Sequence, residues 1–419
     1  MPQTLTQKIL QPHSDQKIDQ PGQIVRCRVS SVLANDITAP LSIKSFRNMG
    51  AKQVFDKNRI ILVMDHFTPQ KDIDSANQVI NCREFAREFG ITHYYEGGNC
   101  GVEHALLPEL GLVGPGDIVI GADSHTCTYG GLGAFATGMG STDIAGAMAL
   151  GETWFKVPPS IRVTFNGVMP ELLRGKDLIL ALIGKIGVDG ALYSALEFDG
   201  EAIETLDIEG RLTMANMAIE AGGKVGLFAA DKSTKAWCAE HGRPDAPLVA
   251  PDPGAEYQRE LRFDVSNMEP LVACPHLPEN IKPVSQLEPL PVNQVIIGSC
   301  TNGRISDLRD AALVLKGRKV ARDVRCIILP ATPGIWKQAM REGLFEIFTD
   351  AGCIVGPPTC GPCLGGHMGI LGDGERAVST TNRNFRGRMG SLKSEVYLSS
   401  PLVAAASAVS GIVSSPATL

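Results

Sequence analysis

Short apolar, β-branched runs alternate with longer helical stretches along this chain, and no other feature limits its fold as strongly. RIILVMD (59–65) leads into DIDSANQVINCREFAREFG (72–90), then DIVIGAD (117–123) empties into a glycine-rich turn. Apolar runs of this length, without polar alternation, fit strands buried on both faces, as in parallel sheets with crossover helices. The pattern resumes at IRVTFNG (161–167) with helical stretches at 176–187 and 213–222. Between Lys232 and Pro291 proline becomes dense (PDAP, APDPG, CPHLPENIKP, LEPLP). The expected fold is α/β, with boundaries near 158 and 288 and units of 1–157, 158–287 and 288–419.

A chain of 419 residues with 44% hydrophobic and 20% charged residues can bury a large core and does not resemble a disordered polymer. Its net charge of −6 supplies no basic stripe for nucleic acid. No apolar run is long enough to span a membrane, and MPQTLTQKILQPHSDQ lacks a secretory pattern, so a cytoplasmic chain is expected. Eleven cysteines in such a chain predict free thiols rather than a disulfide framework.

Cys27, Cys82, Cys238, Cys274 and Cys326 read as ordinary core thiols. Cys300, Cys360 and Cys363 do not. Cys300 follows the apolar run VII in VIIGSCTNGR, at the carboxyl end of a predicted strand, where open α/β sheets bind ligands. Cys360 and Cys363 form C-x-x-C in VGPPTCGPCLGGHMG. Spacing alone leaves three readings: a zinc site completed by His367, a redox dithiol, or an iron–sulfur cluster held by three thiolates. The segments 117–126 and 293–302 also echo each other, each an apolar strand followed by glycine and small polar residues.

Carboxylates beside imidazoles recur at Asp65-His66, Glu103-His104 and Asp123-Ser124-His125, a combination suited to general acid–base work. NMAIE places Asn216 and Glu220 four apart, and NRNFRGR gathers Asn382, Arg383 and Arg388 around Gly387. Guanidinium forks bind carboxylates at two points. The run GGLGAFATGMG lacks the spacing of a dinucleotide fingerprint.

GSCTN, TCGPCLG, GADSHT with its glycine-rich continuation, and NRNFRGRMG, in that order, resemble the aconitase superfamily across nearly the whole chain. The run MGSLKSEVYLSSPLVAAASAVSG is similar to its two-subunit dehydratase branch rather than to aconitase proper. The resemblance implies three α/β/α domains packed around a [4Fe–4S] cluster, without the mobile swivel domain. It places the cluster on Cys300, Cys360 and Cys363, with one iron not ligated by protein. It implies a hydro-lyase that moves water between neighbouring carbons of a hydroxy-acid, with isopropylmalate favoured over the homoaconitase and dimethylmalate alternatives. Catalytic roles are implied for Asp65, His66, His104, Asp123, Ser124 and Glu220, and substrate contacts for Asn216, Asn382, Arg383 and Arg388. Asn302, beside Cys300, is read as facing the substrate too. The expected partner is a separate small subunit that completes the site; a cluster-free RNA-binding role is the rival from another class, and the acidic balance opposes it.

Overall fold

A computed structural model describes all 419 residues. The first unit holds β1 (Ile24–Arg28), β2 (Ser31–Asn35), β3 (Ile60–Val63), β4 (His93–Tyr95), β5 (Ile118–Gly121), β6 (Phe135–Gly138) and β7 (Glu152–Lys156). Five of these form one parallel sheet in the order β4-β3-β2-β5-β6, while β1 and β7 pair antiparallel beside it. Every residue of β2, β3 and β5 is buried, which is why their sequences carry no polar alternation. The helix Ile73–Phe89 covers part of this sheet. Asp72 caps it by accepting from the Ser75 backbone N–H, and Gly90 ends it at φ 63°.

The second unit contains β8 (Ser160–Asn166), β9 (Ala195–Asp199), β10 (Val225–Phe228) and β11 (Arg259–Asp264), parallel in the order β10-β9-β8-β11. The third contains β12 (Leu271–Ala273), β13 (Ile281–Pro283), β14 (Gln294–Ile297), β15 (Arg325–Ile328), β16 (Ile354–Val355), β17 (Arg376–Ser379) and β18 (Glu395–Ser399). Its order is β13-β12-β18-β17-β14-β15-β16, parallel from β18 through β16, with β12 and β13 added antiparallel at one edge. This sheet takes in β12 and β13, which precede residue 288. The proline-rich stretch that suggested a boundary instead carries these two short edge strands, where proline is tolerated.

Strand order reverses direction between β2 and β5 in the first sheet and between β14 and β17 in the third. Such switch points open a crevice beyond the carboxyl ends of the strands. The two echoing segments lie there: β5 runs into Asp123 and Ser124, and β14 runs into Cys300 and Asn302.

Glycine joins the first unit to the second. The 3₁₀ turn Ser124–Leu132 packs against the helix Ile208–Asn216 and β10. A Cβ at Gly130 would lie 1.8 Å from the Gly226 carbonyl oxygen, and one at Gly131 would lie 2.7 Å from the Leu212 backbone. The glycine run thus permits backbone-to-backbone contact.

Candidate active site

The three cysteines meet at the junction of the units. Cys300 follows β14, while Cys360 and Cys363 sit on the short 3₁₀ segment Gly361–Leu364 and its approach; all three are buried. The Cys360 loop is tied to the end of β3. The Thr359 hydroxyl donates to the Asp65 carbonyl at 2.8 Å, and the Cys360 N–H donates to the same oxygen at 3.3 Å. Cys300 Sγ accepts from the side-chain amides of Asn216 and Asn382, each at 3.3 Å. The Cys363 thiol reaches Asn382 Oδ1 at 3.8 Å, and the Cys360 thiol reaches Asp65 Oδ2 at 4.0 Å.

Burial pushes the Cys300 thiol up to about 12 and holds Cys360 well above the ordinary thiol range. A bound cationic centre would compensate these desolvated sulfurs as thiolates. Asp65, His66 and Cys360 offer ligand atoms within 4.8 Å of one another, and so do Glu103, His104 and Asp123. His367 is turned elsewhere, its Nε2 against the Pro69 carbonyl at 3.1 Å.

Adjacency in sequence does not decide which acid meets which imidazole. Asp65 Oδ1 does pair with its neighbour His66, at 2.7 Å from Nδ1. Their turn is held by Asp36, whose carboxylate accepts the N–H groups of His66 and Phe67 at 3.0 and 2.9 Å. His104 Nε2, however, meets Asp123 Oδ1 at 3.0 Å, closer than the neighbouring Glu103 at 3.5 Å. His125 Nε2 meets Glu220 Oε1 at 2.8 Å. Burial works to raise Asp123, but hydrogen bonds from His104 and His125 outweigh it and hold the carboxyl well below its usual range. Burial, aided by the charge of His125, depresses His104 against that same pull.

Arg383 closes the ring. Its Nε donates to Glu220 Oε1 at 2.8 Å and its Nη2 to the Ser124 hydroxyl at 3.0 Å. Arg388 keeps a buried Nε with no partner, an open donor of the kind a carboxylate ligand satisfies. Asn216 ends the helix Ile208–Asn216 and Glu220 lies in the 3₁₀ turn Met217–Ala221, so the two do not share one continuous helix face as their spacing suggested. The turn swings Glu220 toward His125 while Asn216 faces Cys300.

Asn302 lies beside the site with its amide already engaged. Its Nδ2 donates to Asp307 Oδ1 at 2.9 Å and to Thr213 Oγ1 at 3.2 Å, and its Oδ1 accepts from Lys176 Nζ at 3.4 Å. Those contacts tie Asn302 to the helices that begin at Gly175, Ile208 and Ile305.

Two residues join the site that the sequence reading did not select. His125 was visible as the third member of Asp-Ser-His. Lys176, fully buried, donates to the carbonyls of Thr380 and Thr381 at 2.9 and 2.5 Å and so braces the Asn382 turn. Burial lowers its ammonium to about 7. No local pattern announces it, because every partner is more than a hundred residues away.

Parallel sheets with their switch points aimed at buried thiols, acid–imidazole pairs and guanidinium forks define an α/β protein with an enzyme-like site. The profile of the aconitase family (aconitate hydratase) matches residues 7–291 and 282–411, and the chain belongs to this family. It is 75% identical over 419 residues to the 3-isopropylmalate dehydratase large subunit of Nitratidesulfovibrio vulgaris (strain DSM 19637 / Miyazaki F), covering all of both chains. The protein of that name from Oleidesulfovibrio alaskensis is 72% identical over 416 residues, and that from Heliobacterium modesticaldum 58%, each match covering 99% of both chains. Among solved structures, holo aconitase X of Thermococcus kodakaraensis superposes with TM-score 0.52 at 13% identity, over 88% of this chain and 87% of that one. At that identity the likeness concerns the fold alone.

Proposed function

We propose that the chain acts as the large, cluster-bearing subunit of a 3-isopropylmalate dehydratase, interconverting 2-isopropylmalate and 3-isopropylmalate by loss and return of water in leucine biosynthesis. The observation that carries this reading is the end-to-end similarity, 58–75% identical, to relatives bearing that name. The local geometry supports it. Cys300, Cys360 and Cys363 would hold a [4Fe–4S] cluster with one iron free of protein ligands. Such a cluster, when bound, supplies a Lewis acid for a substrate hydroxyl and carboxylate oxygen.

The rest of the work falls to side chains. The substrate carries two carboxylates, and Arg383 and Arg388 offer forks that bind such groups at two points. Dehydration removes a proton from a weakly acidic C–H and delivers one to a departing hydroxyl, so the site must store protons in both directions. Asp65–His66, His104–Asp123 and His125–Glu220 are pairs able to do so, each linked at 2.7–3.0 Å. The Ser124 hydroxyl, bonded to Arg383 Nη2, is fixed where a substrate oxygen would compete for the same donor. Asn216 and Asn382 hold Cys300 Sγ and orient the thiol face, with Asn302 supporting their turn. Asp65, His104, Asn216, Glu220 and Asn382 are buried, while His66, Asp123, Ser124, Arg383 and Arg388 are half-buried and leave the site open on one side.

The relatives are named large subunits, which supports a small-subunit partner that completes the site over the cluster. The test is an anaerobic assay of the reconstituted pair with isopropylmalate, homocitrate and dimethylmalate supplied separately. Preferred turnover of isopropylmalate is expected. Preference for either other acid would reassign the substrate, and no turnover of any would remove the dehydratase reading.

A further inference from the structure

Glu103 takes no part in the chemistry above, yet it is built into the same site. It opens the helix Glu103–Glu109, is 1% exposed, and has an Oε2 that is buried without any hydrogen-bond partner. Its Oε1 accepts from Asn35 Nδ2 at 2.9 Å and lies 3.5 Å from His104 Nε2. That nitrogen also faces Asp123 Oδ1 at 3.0 Å, so one imidazole edge meets two carboxyl groups. The Glu103 N–H donates to Asp65 Oδ2 at 2.7 Å, which places a third carboxyl nearby. Tyr129 donates its hydroxyl to the Glu103 carbonyl at 3.2 Å, and the same hydroxyl lies 3.2 Å from His104 Nδ1.

Three carboxyl groups crowded together, two of them fully buried, do not all ionise. Asp123 is the better anion, because it accepts the His125 N–H at 2.7 Å in addition to His104. Glu103 has a single amide donor and one oxygen with none. A buried carboxylate oxygen lacking a donor is costly, and the un-ionised acid avoids most of that cost. Burial, then the charges of Asp65 and Asp123, push Glu103 well above the usual carboxyl range, opposed by His66 and the Asn35 amide. The remaining titratable groups facing it are His104, Tyr129 and Cys100.

We infer that Glu103 is held as an un-ionised carboxylic acid and acts as a positioning residue, leaving His104 Nε2 to Asp123 alone. This rests on the reading of His104 and Asp123 as proton-handling groups of the dehydratase. Ionisation of Glu103 would set a second anion against the same imidazole edge and repel Asp123. Activity is therefore present while Glu103 carries its proton and is lost as pH rises through its elevated pKa.

The test compares wild type with Glu103→Gln, both cluster-loaded and paired with the small subunit under anaerobic conditions. Infrared difference spectra should show the C=O stretch of an un-ionised carboxyl in wild type at neutral pH and not in the variant. Glu103→Gln keeps a neutral acceptor for Asn35, so kcat should fall by less than about tenfold with KM unchanged, and the alkaline limb should move or vanish. Should the variant not fold, the band is followed in wild type carrying isotope-labelled glutamate, and it should disappear on raising the pH. Absence of the band, or a loss beyond about a hundredfold with an unaltered pH profile, overturns the inference. If wild type turns over none of the acids, the dehydratase reading fails, while the infrared band still decides the state of Glu103.

Discussion

Cys360 and Cys238 are both buried thiols, and what surrounds each separates their roles. Cys360 faces Asp65, His66 and Cys300, whereas Cys238 packs with Leu106, Leu107 and Val113 in an apolar cluster. Cys360→Ser is expected to abolish iron and sulfide incorporation, and Cys238→Ser to retain it, read by metal and acid-labile sulfide analysis of each purified variant. Arg383 tests the other half of the site. It holds Glu220 and Ser124 at once through different nitrogens, which a lysine ammonium on a flexible stem cannot reproduce. Arg383→Lys should lower kcat/KM by roughly 30-fold or more, equivalent to about 2 kcal/mol, in steady-state assays of the reconstituted pair.

How much of this was legible follows the range of each interaction. C-x-x-C and Asp65-His66 lie within a few residues, so their proximity could be read directly. The acid for His104 was visible as its neighbour Glu103 and proved to be Asp123, nineteen residues on. Glu220 and His125 are 95 positions apart, and the histidine was passed over although it stands in the Asp-Ser-His motif. The partners of the Asn302 amide, Thr213 and Asp307, are equally hidden from local sequence, the first being 89 residues away.

At the level of elements, strand burial explains why the parallel α/β architecture could be read from sequence. β2, β3 and β5 are buried along their whole length and so appear as unbroken apolar runs. The edge strands β12 and β13 escaped notice because they are three residues each and lie among prolines. The contact between the turn Ser124–Leu132 and the helix Ile208–Asn216 is the element pair on which the site most depends. One carries Ser124 and His125, while the other ends at Asn216 and leads to Glu220. Gly131→Ala would put a methyl 2.7 Å from the Leu212 backbone and should destabilise the fold by about 1–3 kcal/mol, seen as a lower Tm, with activity falling further than stability alone explains. Gly146→Ala is the matched control. It lies within the helix Ser141–Leu150 with nothing within 4 Å of a new Cβ, so Tm should hold or rise, by about 0.4–1 kcal/mol of stability.

For the molecule as a whole, function depends on convergence. The first unit brings Asp65, His66, His104, Asp123 and Ser124, the second Asn216 and Glu220, and the third the cysteines with Asn382, Arg383 and Arg388. No helix is long and apolar enough to cross a membrane. The large-subunit reading adds a requirement beyond this chain. With its cluster rebuilt, the chain alone should show little turnover, and addition of the small subunit should restore it, measured by titrating one against the other. Full activity without the partner would contradict that requirement.

The proposal as a whole stands on what the three cysteines hold. Anaerobic purification followed by iron, zinc and acid-labile sulfide determination addresses this directly. About four irons and four sulfides per chain are expected, with the count lost in Cys360→Ser. One tightly held zinc and no sulfide would contradict it.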